Sequence, residues 1–200
     1  MRVSLLVCIV AIVFVAGSAH AEGRIGLYRD VDMASCAFAD ESASILSVHV
    51  VQTGASAGAS EFMLQPREGA SLIYLAESIP TTLAGAMGRA DVGVAVAYGG
   101  CVEPPIHVLT VLYQGFGLSG TCGEIAILNS PESQHQLVDH VAYATNICAN
   151  GGSGISWAEA GHAVVNPDDD CQCGSDPRDD DIPTPVETAT WGKVKALYVN

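Results

Sequence analysis

Short runs rich in Val, Ile, Leu and Tyr alternate along the chain with breaks of Gly, Ser, Pro and Asp, the punctuation of an all-β domain. The pattern predicts strands over 24–28, 44–52, 60–64, 71–75, 92–98, 107–114, 124–128 and 162–166. In 44–52, Leu46, Val48 and Val50 fall on one face while Ile45, Ser47, His49 and Val51 fall on the other, because side chains alternate with period two along a strand. Val92, Val94 and Val96 likewise share a face, with Gly93, Ala95 and Ala97 opposite. Small residues on a strand imply close cover by another sheet or an aromatic ring.

Helix signals are sparse. Ser130-Pro131 has the form of an N-cap followed by proline at the first helical position, so the run to about Ala144 is either a short helix or a loop leading to a strand over 137–142. Many short strands with few or no helices predict a two-sheet β-sandwich, Ig-like or jelly-roll-like.

The N-terminus carries a different signal. Arg2 precedes an apolar run over 5–15, and Ala19 and Ala21 supply an A-x-A pair. This is the form of a secretory signal peptide ending at residue 21, and the run is too short to span a bilayer. The expected layout is therefore a signal peptide over 1–21, a β-sandwich domain over 22–166, an acidic Pro/Asp-rich loop over 167–188, and a C-terminal strand or tail over 189–200. No membrane insertion is expected after signal removal.

Export changes the meaning of the cysteines. Cys8 leaves with the signal, and Cys36, Cys101, Cys122, Cys148, Cys171 and Cys173 remain, an even set suited to a disulfide framework in an oxidising compartment. Cys101 and Cys122 flank the strand over 107–114 and its return, so they are expected to clip one hairpin. Cys171 and Cys173 stand two apart, where extended backbone makes their side chains diverge, so they are expected to have separate partners. A zinc reading lacks a C-x-x-C pair.

The formal charge of −14 excludes two classes of partner. Nucleic-acid binding needs clustered Lys and Arg, which are absent, and anionic lipid is disfavoured on the same ground. The acid is concentrated in Asp168, Asp169, Asp170, Asp176, Asp179, Asp180 and Asp181.

Several blocks together resemble a group of secreted bacterial proteins of uncharacterised activity: Gly26-Leu27-Tyr28 with Asp30 and Cys36; Tyr98-Gly99-Gly100-Cys101 with Pro105-Ile106-His107-Val108-Leu109; Cys171-Gln172-Cys173; and the C-terminal Thr190-Trp191-Gly192-Lys193-Val194-Lys195-Ala196-Leu197-Tyr198. The resemblance implies export and a disulfide-bearing β domain, and it carries no activity, ligand or catalytic residue.

Gly54-Ala55-Ser56-Ala57-Gly58 matches the G-x-S-x-G form of a nucleophile elbow. Such an elbow places its serine on a strained strand-to-helix turn, whereas Pro66 here limits any following helix. The same residues also read as an ordinary flexible loop. If Ser56 were a nucleophile, His107, His140 or His162 would be its conceivable bases. His135 and His140 stand five apart, which does not match the zinc helix H-E-x-x-H, and His49 and His107 read as surface or structural residues. Asp168, Asp169, Asp170, Asp179, Asp180 and Asp181 offer the oxygens a calcium ion wants, but not in EF-hand spacing; a solvated acidic loop is the simpler expectation.

The sequence thus predicts a secreted, non-enzymatic β-sandwich, an envelope or extracellular interaction module for a protein or glycan partner, without cofactor. The alternatives are a small secreted serine hydrolase using Ser56, or a calcium-binding module using the acidic cluster.

Overall fold

The computed structural model describes residues 23–131, 144–149 and 152–171. Twelve strands occupy them: β1 (Gly23–Tyr28), β2 (Ala37–Phe38), β3 (Ser42–Thr53), β4 (Ala57–Arg67), β5 (Leu72–Ser78), β6 (Gly85–Arg89), β7 (Gly93–Val102), β8 (Ile106–Phe116), β9 (Gly123–Leu128), β10 (Ala144–Ala149), β11 (Gly152–Ala160) and β12 (His162–Val165). No helix occurs among the described residues. The all-β, disulfide-bonded sandwich expected from the periodicity is the architecture found.

One layer runs β1-β3-β8-β5, all antiparallel. The other is built around β4, which pairs β7 along its first half and, on its other edge, β10 and then β9. β6 extends this layer beyond β7, and β12 extends it beyond β9 with β2 outside it. A short parallel pairing of β1 with β11 joins the layers along one side. The core between them is a single cluster to which both contribute: Ile25, Leu27, Leu46, Val48, Val50, Val108, Val111 and Tyr113 from the first, and Phe62, Leu64, Val94, Val96, Ile125, Ile127 and Val165 from the second. Leu46, Val48 and Val50 thus occupy the buried face their alternation assigns.

Within this core one polar chain is fully satisfied. The Tyr98 hydroxyl donates to Gln52 Oε1 at 2.7 Å and lies 2.7 Å from Ser60 Oγ, linking the two layers through buried side chains. Pairing such groups removes the cost of burying them unbonded.

Several expectations are corrected. Val94 and Val96 are buried, but Val92 lies in the β6–β7 turn and is exposed. Ala95 and Ala97 face outward uncovered, because the β7 residues opposite the core look to solvent rather than to a third layer. The dipeptide Ser130-Pro131 is not helical, and the remainder of that expected helix or strand falls outside the described residues. The hydrophobic pattern predicts no strand at β2, β6, β10 or β11. β6 (GAMGR) and β11 (GSGISWAEA) are rich in Gly, Ala and Ser, and they are strands because their neighbours' backbones pair with them, not because of side-chain propensity.

The expected Cys101–Cys122 bridge does not form. Cys101 bonds Cys148, and Cys122 bonds Cys171. Cys101 ends β7 just before β8 begins and Cys122 follows the end of β8. An extended strand of this length separates its ends by roughly 35 Å, and the chain crosses to the other layer instead of returning alongside β8. Cys36 is also disulfide-bonded. Cys171 and Cys173 therefore do not bond each other, as their spacing implied. The signal peptide, Asp176, Asp179, Asp180, Asp181 and the C-terminal segment likewise lie outside the described residues.

At one end of the sandwich Asp40 acts as a peg. Its buried carboxylate accepts backbone N–H groups of Gly117 (2.9 Å), Leu118 (3.1 Å) and Ser119 (2.8 Å), which turns the chain out of β8. Its own N–H donates to Asn166 Oδ1 at 2.8 Å, and Asn166 Nδ2 donates to Ser119 O at 2.9 Å. The loop after β8 is thereby held to the exit of β12, where the Cys122–Cys171 bridge closes the same junction. Gly115 faces the peg: a Cβ there would overlap Asp40 Oδ1 and lie 2.7 Å from Ser44 Oγ.

Candidate functional site

The outer surface of the β1-β3-β8-β5 layer collects the residues that the core does not use. Gln114 pairs with Ile45 of β3 on one side and with Ile73 of β5 on the other, so the two isoleucines lie in one row across three strands. Ile45 is 62% exposed and Ile73 56%. Alternation along β8 puts Leu112 and Phe116 on the same face as Gln114, and Leu75 of β5 is exposed beside them. The other large exposed side chains include Met87 on β6 of the other layer and Leu118 in the loop after β8. Exposed apolar side chains grouped on one face, unlike isolated residues, mark an interaction surface.

Toward the opposite end of this face the surface turns polar and then closes. Tyr28, Val51 and Cys36 form a small second cluster, with Met33 packed against it. Between that cluster and the apolar row sit His49, His107 and Thr110. Thr110 Oγ1 lies 3.0 Å from His49 Nδ1 and 2.9 Å from His107 Nε2, and the two ring nitrogens are 3.4 Å apart. Ser47 Oγ is 3.4 Å from the other nitrogen of His49. The rings are tilted at 49° with centroids 5.3 Å apart.

A regular strand would point His107 and Thr110, three residues apart, to opposite faces. A β-bulge resolves this: Val50 pairs Leu109 while Val51 pairs His107, so β8 carries one more residue than β3 there and His107 is turned to the Thr110 side. Partial burial lowers both histidine pKa values below the usual imidazole value. A neighbouring Asp30 opposes the shift in His49; in His107 the His49 ring adds to it and a backbone hydrogen bond at Leu109 opposes it. Both rings are accordingly neutral at pH 7.

Ser56 does not sit on an elbow. It lies in the connection from β3 to β4, and the chain after it is a strand, whereas the elbow requires a helix. Its carbonyl accepts the Cys148 N–H at 3.0 Å, beside the Cys101–Cys148 bridge where the chain enters β4. His107 is engaged with Thr110 and His49. His162 lies on β12 in the other layer, and His140 is outside the described residues. The serine-hydrolase arrangement is therefore not assembled from Ser56, His107 and His162.

Of the acidic cluster, Asp168, Asp169 and Asp170 are described. Asp168 Oδ1 accepts the Asp170 N–H at 2.9 Å and lies 3.2 Å from Cys122 Sγ and 3.3 Å from Cys171 Sγ. The three side chains form a compact group, but two of them are spent on a disulfide, so they offer no thiolate to a metal.

The histidine pair and the apolar row were missed by sequence reasoning. The alternation of Ile45, Ser47, His49 and Val51 had already marked a mixed outer face. What it lacked was the partner strand and the bulge.

No family model matches the sequence, and no curated protein matches it. The fold has relatives among solved structures. A cohesin module from a family 33 glycoside hydrolase of Clostridium perfringens aligns over 74% of this chain and 99% of its own, with TM-score 0.50 and 10% identity. The sixth cohesin of Acetivibrio cellulolyticus scaffoldin B, in complex with a Cel5 dockerin, aligns over 74% and 99%, with TM-score 0.48 and 11% identity. A non-cellulosomal cohesin from Archaeoglobus fulgidus aligns over 72% and 91%, with TM-score 0.45 and 14% identity. The chain thus has the β-sandwich fold seen in cohesin modules. At this identity the likeness concerns fold alone.

Proposed function

We propose that this protein is a secreted, non-enzymatic binding module of the cell envelope or the extracellular space, and that it engages a protein partner through the outer face of β3, β8 and β5. The observation that carries the reading is the group of exposed apolar side chains Ile45, Ile73, Leu75 and Phe116, set around Gln114 on the outer face of β3, β8 and β5. Aromatic and aliphatic side chains gathered on a rigid scaffold form the centre of typical protein interfaces. The disulfides fit an oxidising compartment, and the fold likeness to a module carried by a glycoside hydrolase supports a modular, accessory role. A glycan partner is less favoured, since sugar stacking needs more exposed aromatic surface than this face offers.

The test is site-specific photo-crosslinking in the cell that makes the protein. A benzophenone side chain at Ile73 is expected to give a discrete protein adduct that disappears when Ile45→Asp is added. The same probe at Met87, exposed on β6 of the other layer, is expected to give none. An adduct insensitive to Ile45→Asp, or equal adducts from both positions, would refute this assignment of the face. Ester hydrolysis abolished by Ser56→Ala would overturn the non-enzymatic reading.

A further inference from the structure

We propose that His49, His107 and Thr110 form a site for a divalent transition-metal ion of the zinc class, with His49 Nδ1 and His107 Nε2 as its two imidazole ligands. The site does not depend on the apolar row or on the binding role assigned to it.

The argument is geometric. An ion held by two imidazole nitrogens at about 2.0–2.1 Å with tetrahedral angles keeps those nitrogens about 3.3–3.4 Å apart. The observed separation is 3.4 Å. Thr110 Oγ1, at 3.0 and 2.9 Å from the two nitrogens, stands beside them as a third donor atom. Water would complete the coordination of an ion held there.

The surroundings favour the same assignment. The two ring nitrogens and the threonine oxygen converge on one point, and each can present a lone pair there once its proton sits elsewhere. The rings are held in place: His49 has Ser47 Oγ beside its other nitrogen, and a backbone hydrogen bond at Leu109 holds His107. Outer-shell partners of this kind orient ligating histidines. The negative charge of Asp30 near His49 attracts a cation. Two nitrogens and a hydroxyl suit zinc, copper or nickel and do not suit calcium or magnesium. The bulge in β8 is what creates the pair, and bulges commonly re-aim a side chain toward a site.

Titration calorimetry of untagged protein with ZnCl₂, against MgCl₂, tests the proposal. One zinc per chain is expected, with no magnesium response. His49→Ala and His107→Ala should each weaken zinc binding by about tenfold or more, as loss of one of two nitrogen ligands requires. The double substitution His135→Ala with His140→Ala should leave it unchanged. Imidazole ¹⁵N resonances of the unmodified protein give a reading that needs no variant: zinc should move those of His49 and His107. Wild-type zinc affinity in folded His49→Ala, or zinc shifts confined to other histidines, would overturn the site.

Discussion

Replacing Asp40 by Asn tests the peg with almost no change of volume. The carboxylate accepts three backbone N–H groups, one on Oδ1 and two on Oδ2. An amide can keep its oxygen toward Leu118 and Ser119, but its NH₂ then meets the Gly117 N–H, donor against donor. Leaving one buried donor unpaired costs about 1–3 kcal/mol, and the remaining bonds lose the extra strength of a charged acceptor. The sum is about 3–4 kcal/mol, or a fall in Tm of about 10 °C for a domain of this size. The conditions matter. Burial pushes the Asp40 carboxyl up, but the bonds from Ser119, Gly117 and Leu118 together outweigh it, so its pKa lies below the ordinary value. A carboxyl depressed by folding stabilises fully above its unfolded pKa of about 3.9 and loses that contribution as pH falls through the folded value. The gap between wild type and Asp40→Asn should therefore be constant from pH 7 to about pH 5 and narrow below about pH 4. Thermal melts by circular dichroism across that range give the answer, with Asp32→Asn, an exposed position, as the charge-matched control expected within about 0.5 kcal/mol of wild type. An Asp40→Asn shift no larger than the control's, or a gap that widens toward acid, would refute the reasoning.

Three other outcomes are expected. Removing the Cys101–Cys148 bridge with paired serine substitutions frees a loop with a sequence separation of 47 and should cost about 4 kcal/mol on the chain-entropy model, read as a drop in denaturant midpoint; an unchanged midpoint would show that the bridge closes no loop that matters. Calcium should raise Tm no more than a monovalent salt of equal ionic strength, since screening alone relieves self-repulsion in so acidic a chain; a large shift that magnesium fails to reproduce and Asp168→Asn abolishes would make the acidic cluster a calcium site. Intact mass of the exported protein should correspond to a chain starting at Glu22, and a mass retaining residues 1–21 in a clean envelope or medium fraction would count against secretion through that leader.

The hydrophobic alternation alone determined the class of fold and much of its core. Leu46, Val48 and Val50 are buried because a strand offers one face to its neighbour layer and those residues occupy it, and the same counting found eight of the strands. Period-two patterning is a local property, so it survives without knowledge of what lies across the sheet. Pairings are not local. Cys101 and Cys122 sit close in sequence but at opposite ends of β8, and only the crossing of the chain to the other layer brings Cys148 to one and Cys171 to the other. β6 and β11 lack the side chains that announce strands, and are strands because a neighbouring backbone needs partners. His49 and His107 stand 58 residues apart and meet through the register of β3 with β8 and one extra residue in β8. The sequence names the chemistry at each position; contact between distant positions depends on strand order, register and bulges, which only the packed structure decides.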